Sequence, residues 1–222
     1  MIEAFLFDMD GTLLDTEVLW LEAVQSFLQE QSISLSTEDT LAVVYGIAWN
    51  DIYLELRQRY PQLQQSKQAM SEAICGHFFR LREQRDIRIH SSVELLKQLS
   101  ATHPIAIVSG SDSKFIEYGI DLMDIRAQIK FYLGGEHYSP GKPDPACYLM
   151  AAQRLKLAPD ACLVFEDSTA GIRSAKAAGM HCVALARSGR PIQEVELADM
   201  ILDDLADFSI DTYRDEFQRK TA

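Results

Sequence analysis

The sequence predicts an α/β protein: a mostly parallel sheet with helices on both faces, interrupted by an inserted α-helical domain. Two observations carry this. Short apolar runs recur at 4–7, 104–108, 162–165 and 181–186, each followed by a polar or glycine-containing segment and, in most cases, by a helical pattern. That rhythm is the one of buried strands alternating with covering helices. Between the first two runs, residues 16–85 contain no clear buried strand and are rich in Leu, Gln, Glu, Ala and Arg, all good helix formers.

The elements follow in order. Ala4-Phe5-Leu6-Phe7 ends abruptly in Asp8-Met9-Asp10-Gly11, a buried strand entering a sharp loop. In the insert, Leu21, Val24, Phe27 and Leu28 recur at helical spacing, and Ile52, Leu54 and Leu56 do so less cleanly. Ser36 with Asp39, and then Pro61, mark breaks between helices, so three to five helices are expected. Residues 1–15 and 86–222 then form the sheet core, with 16–85 as a helical bundle inserted in it. Further on, Asp144 followed by Pro145 caps and opens a helix running through Leu155. The alanine-rich stretch 168–178 stops at Gly179 and leads straight into the last apolar run.

Composition narrows the partners. A formal net charge of −12 on 222 residues disfavours nucleic acid and anionic lipid over most of the surface. A phosphorylated substrate therefore needs a local positive pocket, made by a metal or a few placed lysines. No stretch approaches the ~18–20 apolar residues that span a bilayer, and the N-terminus lacks a basic leader. Cys75, Cys147, Cys162 and Cys182 form no C-x-x-C pair and read as small buried thiols. A cytoplasmic monomer is the expectation, with no nucleic acid and no membrane partner.

In such a sheet, useful side chains lie beyond the carboxyl ends of the strands, and four strand ends offer a matched set. Asp8 and Asp10 stand two residues apart, with Gly11 to turn the chain sharply. Asp8 can attack phosphorus if a cation masks its charge, and Asp10 can protonate a leaving oxygen and later deprotonate water. Ser109 and Gly110 after the second run offer a hydroxyl and backbone amides to phosphate oxygens, although alone they read as a turn. Lys142, held between Gly141 and Pro143, can neutralise both nucleophile and transferring group; by itself it is a solvated charge. Glu166 and Asp167 after the third run suit a hard cation such as Mg²⁺, against the alternative that Asp167 or Ser168 simply caps a helix.

Taken in this order over essentially the whole chain, these segments resemble the haloacid dehalogenase-like hydrolase superfamily. The resemblance is to the branch with a helical cap inserted after the first motif, which includes β-phosphoglucomutase and small sugar-phosphate phosphatases. It implies a Rossmann-like core and Asp8 as a nucleophile forming an aspartyl-phosphate. It further implies Asp10 as general acid/base, Ser109, Gly110 and Lys142 as phosphate binders, and Mg²⁺ held by Asp8, the Asp10 carbonyl and Asp167 with Glu166 beside it.

Within that family, Asp10 argues against halide chemistry, whose members lack the second acid. Lys67, in a Gln-rich stretch, argues against a Schiff-base phosphonate cleavage. Mutase-like relatives carry a histidine and an arginine in the cap where this chain matches with Trp20 and Trp49, the latter near Tyr45-Gly46. Losing an imidazole and a guanidinium removes a proton carrier and a second phosphate clamp, so a phosphatase is favoured over a mutase. Trp20, Tyr45, Gly46 and Trp49 are candidate specificity positions, with packing in the cap's own core as the alternative reading.

Overall fold

The computed structural model describes residues 1–36, 39–41, 49–190 and 192–221. The chain divides into two compact units, Asp15–Ile87 and Met1–Leu14 with Arg88–Ala222. No helix among the described residues is long and apolar enough to cross a membrane.

The first of these units is helical. Among its described residues are α1 (Thr16–Glu30), α2 (Trp49–Arg59) and α3 (Lys67–Glu83). The helical spacing of Leu21, Val24, Phe27 and Leu28 corresponds to the buried stripe of α1, which packs on α3 through Met70, Ile74 and Phe78. Ser66 caps α3, its hydroxyl accepting from Ala69 N at 3.2 Å. Tyr45 and Gly46 lie outside the described residues, as does the side chain of Trp49.

The second unit is built on a sheet of six parallel strands: β1 (Ala4–Phe7), β2 (Ile105–Val108), β3 (Ile129–Leu133), β4 (Cys162–Glu166), β5 (His181–Leu185) and β6 (Met200–Leu202). Their order is β3-β2-β1-β4-β5-β6. Among the described residues, five α-helices accompany them: α4 (His90–Ser100), α5 (Ser113–Met123), α6 (Ala146–Leu155), α7 (Thr169–Ala177) and α8 (Ile210–Thr221). All four residues of β1 are buried, as a central strand covered on both faces requires. Phe5 and Phe7 point to one face, stacking on Phe165 at 6.0 and 4.5 Å between ring centres, with Phe208 edge-on to Phe165 at 4.9 Å. Ala4 and Leu6 point to the other, into a core with Val108, Val164 and the Cys147, Tyr148 and Ala151 side of α6.

Two strands have no counterpart among the apolar runs. β3 is partly exposed except at Leu133, and β6 has only three residues with Ile201 exposed. Both are edge strands with a single neighbour, so no continuous apolar run is demanded of them.

The topology fixes where chemistry can sit. From β1 the chain builds outward through β2 and β3, then crosses to the other side for β4, β5 and β6. The reversal falls between β1 and β4, whose register pairs Phe7 with Phe165. A crevice at the carboxyl ends of the strands opens at such a switch point, and the residues after β1, β2 and β4 converge there.

Candidate active site

Asp8 continues β1 by one residue, its N–H donating to Phe165 O at 3.0 Å. The chain then folds back at once, with Leu13 and Leu14 both donating to Met9 O at 2.9 Å. Gly11 sits in this turn with φ of +84°, a conformation that favours glycine. A Cβ there would lie 2.0 Å from Asp167 Oδ2, so the turn also needs glycine for the close approach of that carboxylate. Thr12 donates to Asp167 Oδ1 at 3.1 Å, tying the first turn to the end of β4. Arg187, beyond β5, donates to Gly11 O at 3.2 Å.

Lys142 lies not at a strand end, as the sequence suggests, but in the loop before α6. Its ammonium has three protons and finds three acceptors: Glu166 Oε1 at 2.6 Å, Asp8 Oδ1 at 2.7 Å and Val108 O at 3.0 Å. Beneath it lies the ring of Tyr148, 5.1 Å from Nζ to centre, a cation–π contact. The helix that presents Tyr148 starts at Ala146 with Pro145 as its N-cap, one position later than the sequence suggests, and Asp144 Oδ1 accepts from Ala146 N at 2.9 Å.

Glu166 ends β4 with none of its surface exposed. Oε1 accepts from Lys142 and from Tyr148 OH at 2.9 Å; Oε2 accepts from Asp167 N, Ser168 N and Ser168 Oγ at 3.1, 3.1 and 3.0 Å. Ser168 in turn caps α7 by accepting from Gly171 N at 3.0 Å. The capping reading at this strand end thus holds for Ser168, while Asp167 faces Thr12 and the Gly11 turn.

Ser109 follows β2 and is fully buried. Its N–H donates to Leu133 O at 3.0 Å and its carbonyl accepts from Tyr138 OH at 2.8 Å, which fixes the backbone. Its hydroxyl donates to Asp10 Oδ2 at 3.1 Å. Gly110, next along, is exposed.

Asp8, Asp10, Ser109, Lys142, Glu166 and Asp167 are therefore brought together, from the turns and loops after or beside β1, β2 and β4. Asp8, Glu166 and Asp167 are buried, and each offers one carboxylate oxygen, the three lying within 4.8 Å of one another. An all-oxygen donor set of this kind fits a hard divalent cation. The five donors on Glu166 make it the neighbour of such a site, with Asp8 and Asp167 in front of it.

Electrostatics agree. Burial pushes the Asp8 carboxyl well above the usual carboxylate range; Lys142 pulls it down, and Glu166 and Asp10 push it further up. Burial alone would depress Lys142, yet Asp8 and Glu166 hold its ammonium well above the ordinary lysine value. One ammonium shared among several carboxylates leaves negative charge in excess, which a divalent cation would neutralise.

In the helical unit the Trp20 ring stacks on Phe78 with centres 4.0 Å apart and planes 19° from parallel, the packing role allowed for it. Tyr148, Thr12 and Ser111 touch the cluster and Arg187 reaches the adjoining Gly11, although sequence reasoning assigned none of them a role. For Tyr148 the available signal was a tyrosine on an otherwise small-residue helix face, six positions after Lys142.

Residues 5–185 match the sequence model of the haloacid dehalogenase-like hydrolase. Fructose-1-phosphate phosphatase YqaB of Escherichia coli K12 is 28% identical over 180 residues, which are 80% of this chain and 93% of that protein. Hexitol phosphatase A of the same strain is 31% identical over 191 residues, 82% of each chain. Among solved structures, β-phosphoglucomutase of Clostridium difficile superposes with a TM-score of 0.75 at 23% identity, covering 100% of this chain and 99% of that one.

Proposed function

The chain belongs to the haloacid dehalogenase-like hydrolases, and on that premise we propose that it is a Mg²⁺-dependent phosphatase. Its proposed substrate is a small phosphorylated metabolite, a sugar or polyol phosphate, and its intermediate an aspartyl-phosphate on Asp8. The observation that carries the reading is the buried Asp8 carboxylate, gripped by Lys142 at 2.7 Å, with Asp10 in the same turn and Asp167 alongside. The names of the two curated relatives, a fructose-1-phosphate phosphatase and a hexitol phosphatase, support the substrate class.

In the proposed cycle, Lys142, Ser109 and the Gly110 amide orient the phosphoryl group. The Asp8 carboxylate oxygen forms the new bond to phosphorus as the bond to the alcohol oxygen breaks, and Asp10 gives that oxygen its proton. Asp10 then takes a proton from water, whose oxygen attacks phosphorus and releases phosphate, restoring the Asp8 carboxylate. Asp8, Asp167 and the Asp10 carbonyl would hold Mg²⁺, with Glu166 beside them; the ion supplies charge neutralisation to nucleophile and phosphoryl oxygens. Lys142 needs Glu166 for its placement, so Glu166 serves the phosphate site as much as the metal. The helical unit is the proposed cap.

Phosphate release from a panel of sugar, polyol and nucleoside phosphates, measured with Mg²⁺ and with EDTA, tests this. Hydrolysis confined to sugar and polyol phosphates and abolished by EDTA is expected. Metal-independent turnover, or isomerisation of a sugar phosphate without net release, would overturn it.

A further inference from the structure

Ser111 lies two residues past Ser109 and has no role in the cycle above. Its hydroxyl donates to Asp10 Oδ2 at 2.6 Å, the same oxygen that Ser109 Oγ reaches at 3.1 Å. The two serines are also linked to each other, since Ser111 N donates to Ser109 Oγ at 3.0 Å. A hydroxyl carries a single proton. Ser109 can therefore give it to Asp10 or to a phosphate oxygen, but not to both. Ser109 has no exposed surface, whereas Asp10 and Ser111 are half-buried, so the hydroxyl meant for phosphate is committed to Asp10 in the free protein.

We infer that Ser111 is a positioning residue for Asp10, keeping hold of its carboxyl when the Ser109 hydroxyl is handed to the phosphate. This rests on Asp10 being the general acid. Both serine hydroxyls bond Oδ2, which favours that oxygen as acceptor and places the transferable proton on Oδ1. Ser111 thus selects which oxygen faces the departing alcohol. Its loss removes the hydroxyl bond that stays on Oδ2 at the moment the substrate has taken Ser109 away.

The consequence depends on the leaving group. A sugar alkoxide must be protonated as it leaves; a nitrophenolate leaves without a proton. We expect Ser111→Ala to lose about tenfold more kcat on the best sugar phosphate of the panel than on p-nitrophenyl phosphate, with KM little changed, a part of the ~10²–10⁴ that a general acid contributes. Ser111→Thr, which keeps the hydroxyl, should restore most of the loss. Ser111→Cys, a weaker donor of similar shape, should repeat the alanine pattern if the alanine variant folds poorly. Equal losses on both substrates, or no rescue by threonine, overturn the inference. Asp10→Asn is run alongside: if it discriminates between the substrates and Ser111→Ala does not, Asp10 is the acid and only the role of Ser111 is wrong. If Asp10→Asn shows no discrimination, the assignment of Asp10 falls, and this inference with it.

Discussion

Lys142 donates to Glu166 across 2.6 Å, and neither group has water to fall back on: the Glu166 side chain is fully buried and that of Lys142 is 11% exposed. Removing one partner of a buried pair costs about 3–5 kcal/mol when the other is left uncompensated; Lys142 keeps Asp8 Oδ1 at 2.7 Å, which makes that figure an upper bound. Glu166→Ala should lose stability towards that bound in urea denaturation, and Glu166→Gln distinctly less, since the amide still meets Tyr148 and Ser168. A loss below about 1 kcal/mol for the alanine variant would mean that Lys142 does not depend on this carboxylate.

Asp8→Asn should lower kcat by at least about a thousandfold, as removal of a covalent nucleophile does elsewhere, while the protein stays folded. The amide cannot form the acyl phosphate but still presents an oxygen to Lys142. Steady-state kinetics with p-nitrophenyl phosphate decide it, and retention of a tenth of the activity rules Asp8 out as nucleophile.

Tyr148→Phe keeps the ring under Lys142 and removes only the hydroxyl that Glu166 accepts. About 1 kcal/mol of stability should go with that hydrogen bond. Tyr148→Leu, which also loses the cation–π contact, should cost more. Thermal denaturation of the two variants side by side checks the order, and a phenylalanine variant as unstable as leucine would contradict it.

Gly171→Ala is predicted to damage the site from behind. A Cβ on Gly171 would lie 1.7 Å from Glu166 Oε1, so the carboxylate or helix α7 must move. Overpacking of this kind costs about 1–3 kcal/mol, and the displaced Glu166 should carry Lys142 with it. Reduced stability together with weaker competitive inhibition by inorganic phosphate is the expected signature; unchanged phosphate inhibition would separate Gly171 from the site.

His181 contributes a pH dependence away from the cluster. Its Nδ1 lies 2.6 Å from Tyr213 OH, and burial holds the imidazole below its usual value against the opposing pull of Asp199. The unfolded chain therefore binds the proton at higher pH than the folded one. This contribution is fully present above about pH 6.5 and is lost as pH falls from there through the lower folded value. His181→Asn should flatten that part of the Tm profile between pH 7.5 and 5.5; an unchanged slope would show that His181 is not its source.

Much of this was readable in the chain because physics leaves local marks. The buried strands β1, β2, β4 and β5 must be apolar on both faces, and Pro145 and Gly179 punctuate helices by their own backbone limits. Asp8 and Asp10 were legible for a different reason, as two carboxylates in a sharp glycine turn just beyond an apolar strand. Lys142 and Asp167, which alone read as a solvated charge and a helix cap, became candidates through the family resemblance that joins the four segments. The edge strands β3 and β6 were not legible, since one neighbour and an open side allow mixed composition. Tyr148 and Ser111 were missed because their importance lies in distance to Glu166 and Asp10, which spacing along the chain does not encode. That Glu166 is saturated by protein donors is likewise a property of three dimensions alone.

The placement of β1 in the middle of the sheet bears on how the molecule is made. Its first strand waits between β2 and β4, whose residues 105–107 and 162–165 pair with it, and Thr12 finds Asp167 only 155 positions later. During synthesis the segment 4–7, apolar on both sides, leaves the ribosome long before either flanking partner exists. Until then it is a sticky ribbon with two open edges, and the helical segments of the insert follow it out first. Shielding of the nascent N-terminal half, rather than the stability of the finished protein, should set its yield on expression.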